Sequence, residues 1–418
     1  MSTLLVDRMD TAKEILSNID WSFYRRPGMI ARAVRPFNCR SYHWFPATFV
    51  PEIPFTLIDV LTQPGAVVYD PFGGIGTTYF QALSLNRRPV MTEVCTVAVE
   101  FARSLFELFS PDTQFEKIKM NIASMLEEYD AAKDYTTSVP KRVLTSLLAP
   151  WYSPETFNEL SFLFAKEASY HDSALKAVNR ISISAILASA SSQDRGWGCI
   201  ADNVLPKKNK IKHNDALALF RKRANRLIKD VAQQTKGAMS GYGKVYKELA
   251  SKETILHEDV RECESIAAGS VDLVVTSPPY PNMTDYVTSQ RLSYYFFGID
   301  ASNKGQLNDF QDEIGARSRR TRSDSLTKYL DDMQAANETI SCKLRKGGIA
   351  CFVMPVFAED ADNNIQRKHV VSKIIADLRT FDLEKEEEFR RVIPRIRRSH
   401  NAKWASLERE KIYLFRKI

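Results

Sequence analysis

The feature that most constrains the fold of this chain is a short apolar run that leads directly into a glycine-rich turn and then a helical pattern. Residues 66–69 are apolar or aromatic without interruption, as in a buried strand. Residues 73–76 contain three glycines, and residues 77–85 return to helical spacing of apolar side chains. Residues 88–93 predict a second short strand that ends in an acid. Together these segments predict the start of a βαβ unit.

The middle of the chain has a different pattern. From about residue 105 to residue 250, long charged segments carry apolar residues at helical spacing, most clearly at 115–129, 154–168 and 214–234. Strand patterns return afterwards at 254–256, 271–275 and 349–354, and two final strands at 389–394 and 411–416 are expected to pair as a hairpin. This order predicts an α/β domain that is interrupted by a mainly helical insertion.

The expected domain organisation has three parts. Residues 1–105 contain an N-terminal segment and the first part of the α/β domain, residues 106–250 form the helical insertion, and residues 251–418 form the second part of the α/β domain.

The composition is that of a globular protein that is expected in the cytoplasm. The chain has 418 residues, of which 44% are hydrophobic, so it can bury a large core. No segment reaches membrane-spanning length, and charged residues interrupt the first thirty positions, unlike a signal peptide. The six cysteines lie far apart without a C-x-x-C pair, so no metal site is expected.

The glycine-rich turn is a candidate ligand site because of its position. It lies between the predicted end of a strand and the predicted start of a helix, where open α/β sheets bind ligands. Glycines allow the backbone to approach a ligand, and the first N–H groups of a helix can bind polar atoms. The turn lacks the G-x-x-x-x-G-K-[ST] pattern, so a phosphate-binding P-loop is disfavoured. A tight turn without any ligand is the alternative.

Glu93 lies at the end of the second predicted strand. A carboxylate at this point can accept hydrogen bonds from both hydroxyl groups of a ribose. A solvated carboxylate at a strand end is the alternative, but the neighbouring glycine-rich turn favours a nucleoside-containing cofactor.

The segment Thr-Ser-Pro-Pro-Tyr at residues 276–280 is the most informative about the reaction, and it directly follows a predicted strand. Two consecutive prolines end strand pairing and keep the next residues extended. The Ser277 oxygen and the Pro278 carbonyl can then accept hydrogen bonds from both N–H groups of an exocyclic amine, which leaves the nitrogen lone pair free. Tyr280 can stack on the base. A purely structural turn with a packed tyrosine is the alternative.

These two segments resemble the motifs of the S-adenosylmethionine-dependent amino-methyltransferases of DNA. Residues 70–78 are similar to the cofactor motif D-P-F-x-G-x-G-T-T, and residues 277–280 are similar to the catalytic motif [DNS]-P-P-[YFW]. The resemblance covers roughly residues 40–105 and 250–418. It implies S-adenosyl-L-methionine as the cofactor and a Rossmann-like, doubly wound methyltransferase sheet with a terminal antiparallel strand.

The resemblance also implies roles for individual residues. The residues implied to bind the cofactor are Phe49, Asp70, Pro71, Phe72, Gly74, Gly76, Thr77, Thr78, Glu93 and Asp259. The residues implied to be catalytic are Ser277, Pro278, Pro279 and Tyr280. Phe49 belongs to residues 45–52, which are similar to the segment that covers the methionine moiety, and Asp259 matches an acidic position near the adenine.

Ser277 favours cytosine as the target base. Within the family, serine at this position is associated with methylation of the N4 amine of cytosine, whereas aspartate or asparagine is more often associated with the N6 amine of adenine. Adenine therefore stays open. The expected reaction is a direct in-line methyl transfer without a covalent enzyme intermediate, and in duplex DNA it requires flipping of the target base.

The insertion departs from the usual motif orders of the family. About 160 residues separate Glu93 from Asp259, far more than an ordinary connection between a strand and a helix. We expect the insertion at residues 106–250 to be a DNA-recognition domain that contacts double-stranded DNA. Whether residues 191–198 form a DNA-contacting loop or a buried polar turn stays open. Basic clusters at 207–212, 221–229, 317–322 and 390–398 favour phosphate contacts, although each cluster alone is typical of a solvated surface.

Two other functions stay open at this stage. The first is an RNA amino-methyltransferase that acts on guanine or adenine, since related enzymes use a similar proline-proline-aromatic motif. The second is a nucleic-acid-binding module that keeps the fold without catalysis. A restriction or other defence-system partner also stays open, because nothing in the sequence identifies a partner protein.

Overall fold

The computed structural model describes residues 2–23, 36–193, 205–299, 309, 311–358, 362–393 and 407–418. Within these residues, seven strands form a single sheet. They are β1 (Val67–Asp70), β2 (Arg88–Thr92), β3 (Ile255–Leu256), β4 (Val271–Thr276), β5 (Leu344–Val356), β6 (Leu383–Val392) and β7 (Arg409–Lys417).

The strands lie in the spatial order β3-β2-β1-β4-β5-β7-β6. The first five strands of the chain pair in parallel, and β7 lies antiparallel between β5 and β6. The strand order reverses at β1, because the chain continues to β2 on one side and later to β4 on the other. The predicted α/β fold, a doubly wound sheet with a terminal antiparallel strand, is confirmed.

The helices surround this sheet and fill the middle of the chain. In the described residues they are α1 (Ser2–Ser17), α2 (Glu52–Leu61), α3 (Thr77–Ser84), α4 (Thr96–Leu108), α5 (Phe115–Glu127), α6 (Thr145–Leu148), α7 (Pro154–Ser169), α8 (Ser173–Ala190), α9 (Ala216–Gly237), α10 (Tyr242–Ala250), α11 (Arg291–Phe297), α12 (Ser325–Lys343) and α13 (Asp362–Asp377). Three of them, α5, α7 and α9, occupy the segments that the sequence pattern predicts as helical. In the part of the chain that the structure describes, no helix is both long enough and apolar enough to cross a membrane.

Local sequence explains where the long helices of the insertion begin. Ser153, Asp172 and Asp215 precede α7, α8 and α9, and the side chain of each accepts a hydrogen bond from the backbone N–H three residues later. These caps satisfy N–H groups that have no partner within the helix.

Alternating residues of the strands belong to two different hydrophobic clusters, one on each face of the sheet. Tyr69 and Val274 point to one face, where they pack with α12 and α13, and Val68 and Leu273 point to the other face, where they pack with α1 and α2. A third cluster begins at α3 and α4 and continues without a break through α5 and α7 to α11. The helical insertion therefore shares its core with the sheet domain.

β5 begins earlier than the apolar pattern predicts. Gly347 and Gly348, expected before the strand, lie inside it, and the register between β4 and β5 shifts between Val271 and Leu273. The positive φ of Gly347, 74°, accommodates this irregularity at the start of the pairing.

Gly76 ends the glycine-rich turn in a conformation that other residues rarely adopt. Its φ is 85°, and a Cβ atom at this position would lie 2.8 Å from Cε2 of the fully buried Phe80. The turn from β1 to α3 therefore depends on glycine for both backbone conformation and space.

We expect Gly76→Ala to lower the free energy of unfolding by about 1–3 kcal/mol, because it adds backbone strain and a clash with Phe80. Gly243→Ala is the matched control. Gly243 lies in α10, and an added Cβ would only reach ordinary contact distance, 3.7 Å from Pro111, so this variant should be neutral or stabilised by up to about 1 kcal/mol. Urea unfolding of both variants checks the prediction, and equal effects would contradict it.

Candidate active site

A cavity of about 860 Å³, including its open mouth, lies at the carboxyl ends of β1, β2 and β4. Asp70 at the end of β1, Glu93 after β2 and Ser277 after β4 all line it. The position is beside the reversal of strand order, where open α/β sheets bind ligands. The glycine-rich turn and the proline motif, which are far apart in sequence, thus border the same space.

Most of the residues predicted to function line this cavity. They are Phe49, Asp70, Pro71, Phe72, Gly74, Thr77, Glu93, Asp259, Ser277 and Pro279. Four others, Gly76, Thr78, Pro278 and Tyr280, lie next to these residues but outside the lining. Thr78 instead connects α3 to the sheet, because its hydroxyl donates to the Val275 carbonyl at 3.3 Å.

Asp70 joins the two motifs. Its buried carboxyl group accepts a 2.7 Å hydrogen bond from the hydroxyl of Thr276 and a 3.1 Å hydrogen bond from the N–H of Phe72. Burial raises the pKa of Asp70 to about 6, although these hydrogen bonds oppose the shift. Asp70 therefore fixes the end of β4, and with it Ser277, relative to the glycine-rich turn.

Glu93 orders the backbone around the cavity. Its Oε2 accepts a 2.8 Å hydrogen bond from the N–H of Gly74, and its Oε1 accepts one of 2.8 Å from the N–H of Cys95. Burial raises the pKa of Glu93, and the two backbone donors oppose this effect. Each carboxylate oxygen still has a second lone pair, so the predicted contact with ribose hydroxyls is compatible with these bonds.

Asp259 is paired with a neighbouring cation. It accepts hydrogen bonds from the backbone N–H of Arg261 at 2.8 Å and from the guanidinium of the same residue. Arg261 also binds Asp332 on α12 at 2.6 Å. Asp259 is thus held rigidly at one wall of the cavity, next to the apolar side chain of Val260.

Tyr280 is held by the antiparallel part of the sheet. Its hydroxyl donates a 2.7 Å hydrogen bond to Glu410 of β7 and lies 3.5 Å from the Ser277 hydroxyl. Glu410 forms a buried ion pair with Arg391 of β6, whose Nε donates to the Trp21 carbonyl at 3.1 Å. Burial and the charge of Glu410 raise the pKa of Tyr280, so its hydroxyl stays neutral and donates. No motif predicts this connection.

The buried position of Arg391 corrects one sequence-based expectation. Arg391 was expected among the residues that contact phosphate, but it is 4% exposed and neutralised by Glu410. Ion pairing with a residue of the neighbouring strand therefore replaces phosphate binding at this position. Arg395, Arg397 and Arg398 lie outside the described residues.

The other basic clusters are at least partly exposed. Lys207, Lys208, Lys210 and Lys212 are exposed, as are Arg320 and Arg322. Of residues 191–198, Ser191 and Ser192 are buried, and the Ser192 hydroxyl bonds to the backbone of Lys212. Gln193 is half-buried, and residues 194–198 lie outside the described residues.

Sequence patterns missed a third group of cavity residues. Asp312, Glu313 and Ile314 lie after the proline motif and line the cavity together with Tyr286. The ring of Tyr286 stacks on Phe45, with centroids 5.9 Å apart. Phe45 begins the segment predicted to cover the methionine moiety, but residues 312–314 match no motif, and only the folded chain brings them to the site.

The cavity is strongly acidic. Six carboxyl groups line it, those of Asp70, Glu93, Glu258, Asp259, Asp312 and Glu313. Within the described ranges, no lysine, arginine or histidine belongs to the lining. Such a surface favours a positively charged ligand and disfavours phosphate groups.

Residues 20–104 match the model of a protein family, N6_N4_Mtase, described as DNA methylase. The predicted resemblance to DNA amino-methyltransferases is confirmed. The match includes β1, the glycine-rich turn and β2, and it ends before β4 and the proline motif at residues 276–280.

Two further comparisons add little to this assignment. The rRNA methyltransferase aviRa from Streptomyces viridochromogenes is a structural match that covers 90% of this chain and 89% of that chain, with 10% sequence identity and a TM-score of 0.32. A likeness at this score supports no functional argument. No curated protein sequence matches the chain significantly.

We expect Thr276→Val to lower the free energy of unfolding by about 1–3 kcal/mol at pH 7.5, because it removes a hydrogen-bond donor from the buried carboxylate of Asp70. Thr276→Ser keeps the hydroxyl and is the control. Asp70 is mostly protonated in the native state below pH 6, so the loss should be smaller at pH 5 than at pH 7.5. Denaturant unfolding at both pH values provides the measurement. A loss that is the same in both variants and at both pH values would show that the hydrogen bond from Thr276 to Asp70 does not contribute to stability.

Proposed function

We propose that this protein transfers a methyl group from S-adenosylmethionine to the exocyclic N4 amine of cytosine in duplex DNA. The family match supports the coarser statement, an amino-methyltransferase. The single observation that carries the proposal of methyl transfer from S-adenosylmethionine to an amine is the acidic cavity, because it is bordered by the glycine-rich turn on one side and by Ser277 and Pro279 on the other. One cavity can therefore hold a cationic cofactor next to the residues that bind the amine of the target base.

The lining of the cavity fits S-adenosylmethionine better than a phosphate-containing nucleotide. The sulfonium and the ammonium group of this cofactor are positive, as an acidic cavity requires. Val94, Val260 and Ile314 supply apolar surface for a nucleoside base, and Glu93 supplies a carboxylate for its ribose. When bound, S-adenosylmethionine supplies an electrophilic methyl carbon attached to a positively charged sulfur.

The residues after β4 provide what the amine needs. The Ser277 hydroxyl oxygen and the Pro278 carbonyl accept hydrogen bonds from the two N–H groups of the amine. The nitrogen lone pair therefore stays free for in-line attack. The rigid proline pair holds both acceptors in place, since Asp70 and Thr276 fix the strand end that precedes them. No cysteine nucleophile takes part in this mechanism.

The target base must leave the DNA helix to reach this position. Tyr280 stacks on the flipped base, and the hydrogen bond to Glu410 sets the position of its ring. The exposed lysines at 207–212 and the exposed arginines Arg320 and Arg322 supply contacts to the DNA phosphates. The preference for cytosine rests on Ser277.

We expect Ser277→Ala to reduce the turnover of methyl transfer by about 10²-fold or more, while the dissociation constant for S-adenosylmethionine changes by less than about threefold. The reason is that Ser277 holds the amine and not the cofactor. The measurement is transfer of tritiated methyl groups into duplex DNA, with folded RNA as a second substrate, together with equilibrium binding of the cofactor.

Ser270→Ala is the control for this experiment, because Ser270 is exposed and does not line the cavity. Both turnover and cofactor affinity should stay unchanged in this variant. Wild-type turnover in Ser277→Ala would contradict the proposed role, and transfer into RNA but not into DNA would contradict the proposed substrate.

A further inference from the structure

Glu313 belongs to the wall of the cavity, but the mechanism above gives it no role. Its side chain is 3% exposed. Oε1 accepts a 2.5 Å hydrogen bond from the backbone N–H of Tyr286. Oε2 is buried and accepts no hydrogen bond of normal geometry among the described residues, and the backbone N–H of Val287 gives the carboxyl group only a weaker polar contact. An unpaired oxygen of a buried carboxyl group is costly, so a fold retains it only where something offsets the cost.

The backbone holds Glu313 in this position from both sides. The Asp312 carbonyl accepts a 3.2 Å hydrogen bond from Arg261, and the Gly315 carbonyl accepts one of 2.9 Å from the N–H of Asn282. The carbonyl of Glu313 itself accepts a 3.2 Å hydrogen bond from Arg319. The side chain therefore projects from a fixed segment between the wall that contains Asp259 and the residues that follow the catalytic motif.

The charges around Glu313 do not supply the missing partner. The charge of Arg319 favours the carboxylate form, and the charge of Asp285 opposes it. The other carboxyl groups of the lining belong to Asp70, Glu93, Glu258, Asp259 and Asp312, and its further titratable groups are Cys95 and Tyr286. Since the described residues that line the cavity offer Oε2 no cationic partner, a positively charged group of a ligand can fill that position.

We infer that Oε2 of Glu313 binds a positively charged group of the cofactor and makes Glu313 a positioning residue of the cavity. This inference rests on the proposed function. The shared chemistry is an onium centre, and S-adenosylmethionine offers two, the sulfonium and the α-ammonium group. A fixed carboxylate in a cavity whose described lining residues include no basic side chain attracts either one strongly, because little water screens the charges.

Binding of this cation is coupled to the release of a proton. Burial raises the pKa of Glu313 to about 8, so the carboxyl group of the empty cavity is mostly protonated at pH 7. A bound cation stabilises the carboxylate form and expels the proton. Affinity therefore rises with pH up to about 8, by about tenfold per pH unit, and becomes constant above that pH.

The test compares wild-type protein with Glu313→Gln, which keeps the shape and the Oε1 acceptor but removes the charge. Isothermal titration calorimetry with S-adenosylmethionine at pH 6.5 and 8.5, in two buffers of different ionisation enthalpy, measures affinity and proton release together. We expect wild-type affinity to rise at least about tenfold between these pH values. Glu313→Gln should bind about tenfold more weakly at pH 8.5, release no proton and show little pH dependence.

A second ligand identifies the cation. S-adenosylhomocysteine keeps the ammonium group but has an uncharged sulfur. If Glu313 binds the sulfonium, the variant loses affinity only for S-adenosylmethionine; if it binds the ammonium group, the variant loses affinity for both. Glu264→Gln, which removes an exposed carboxylate outside the cavity, should behave as wild type.

Thermal unfolding without ligand controls for folding. The pKa of Glu313 is higher in the folded protein than in the unfolded chain, so the wild type loses stability as pH rises from about 4.5 to about 8. Glu313→Gln lacks this loss and should melt at the same temperature as wild type or higher at pH 8.5. Wild-type affinity and pH dependence in Glu313→Gln would overturn the inference, whereas failure of the wild type to bind S-adenosylmethionine would overturn the proposed function itself.

Discussion

The buried carboxyl group of Asp70 is the constraint on which the rest of the site depends. It connects the end of β1, through the N–H of Phe72, with the end of β4, through the hydroxyl of Thr276. These strands are neighbours in the sheet, although Asp70 and Thr276 are 206 positions apart in the sequence. Because the Asp70–Thr276 hydrogen bond fixes both strand ends, the glycine-rich turn and Ser277 border one cavity with a defined separation.

The acidity of this cavity lowers the stability of the fold but makes the cavity selective for cations. Several carboxyl groups that share a poorly solvated space repel one another, and burial raises the pKa of Asp70, Glu93 and Glu313. The same arrangement attracts a cation and repels phosphates. Under the proposed function, a cofactor with a sulfonium group meets both conditions, and the exposed basic residues outside the cavity bind the phosphates of DNA at the surface.

Sequence patterns predict the parts of the site that are local. The strand, turn and helix around residues 66–85 and the proline motif at 276–280 follow from spacing within a few residues, and the structure places both at the predicted edge of the sheet. Contacts that arise from the fold are different. Glu410 lies 130 positions from Tyr280, and Glu313 matches no motif, so only tertiary structure brings these side chains to the site. Likewise, sequence cannot distinguish the exposed Arg390 from the buried Arg391.

The proposed activity is the transfer of a methyl group from S-adenosylmethionine to an exocyclic amine of a DNA base. The most direct measurement is to incubate the purified protein with duplex DNA and S-adenosylmethionine that carries a tritiated methyl group, digest the DNA to nucleosides, and identify the labelled nucleoside by chromatography and mass spectrometry. The account predicts label on the N4 amine of deoxycytidine. Label on a ring carbon, or cofactor binding without any label in DNA, would contradict it.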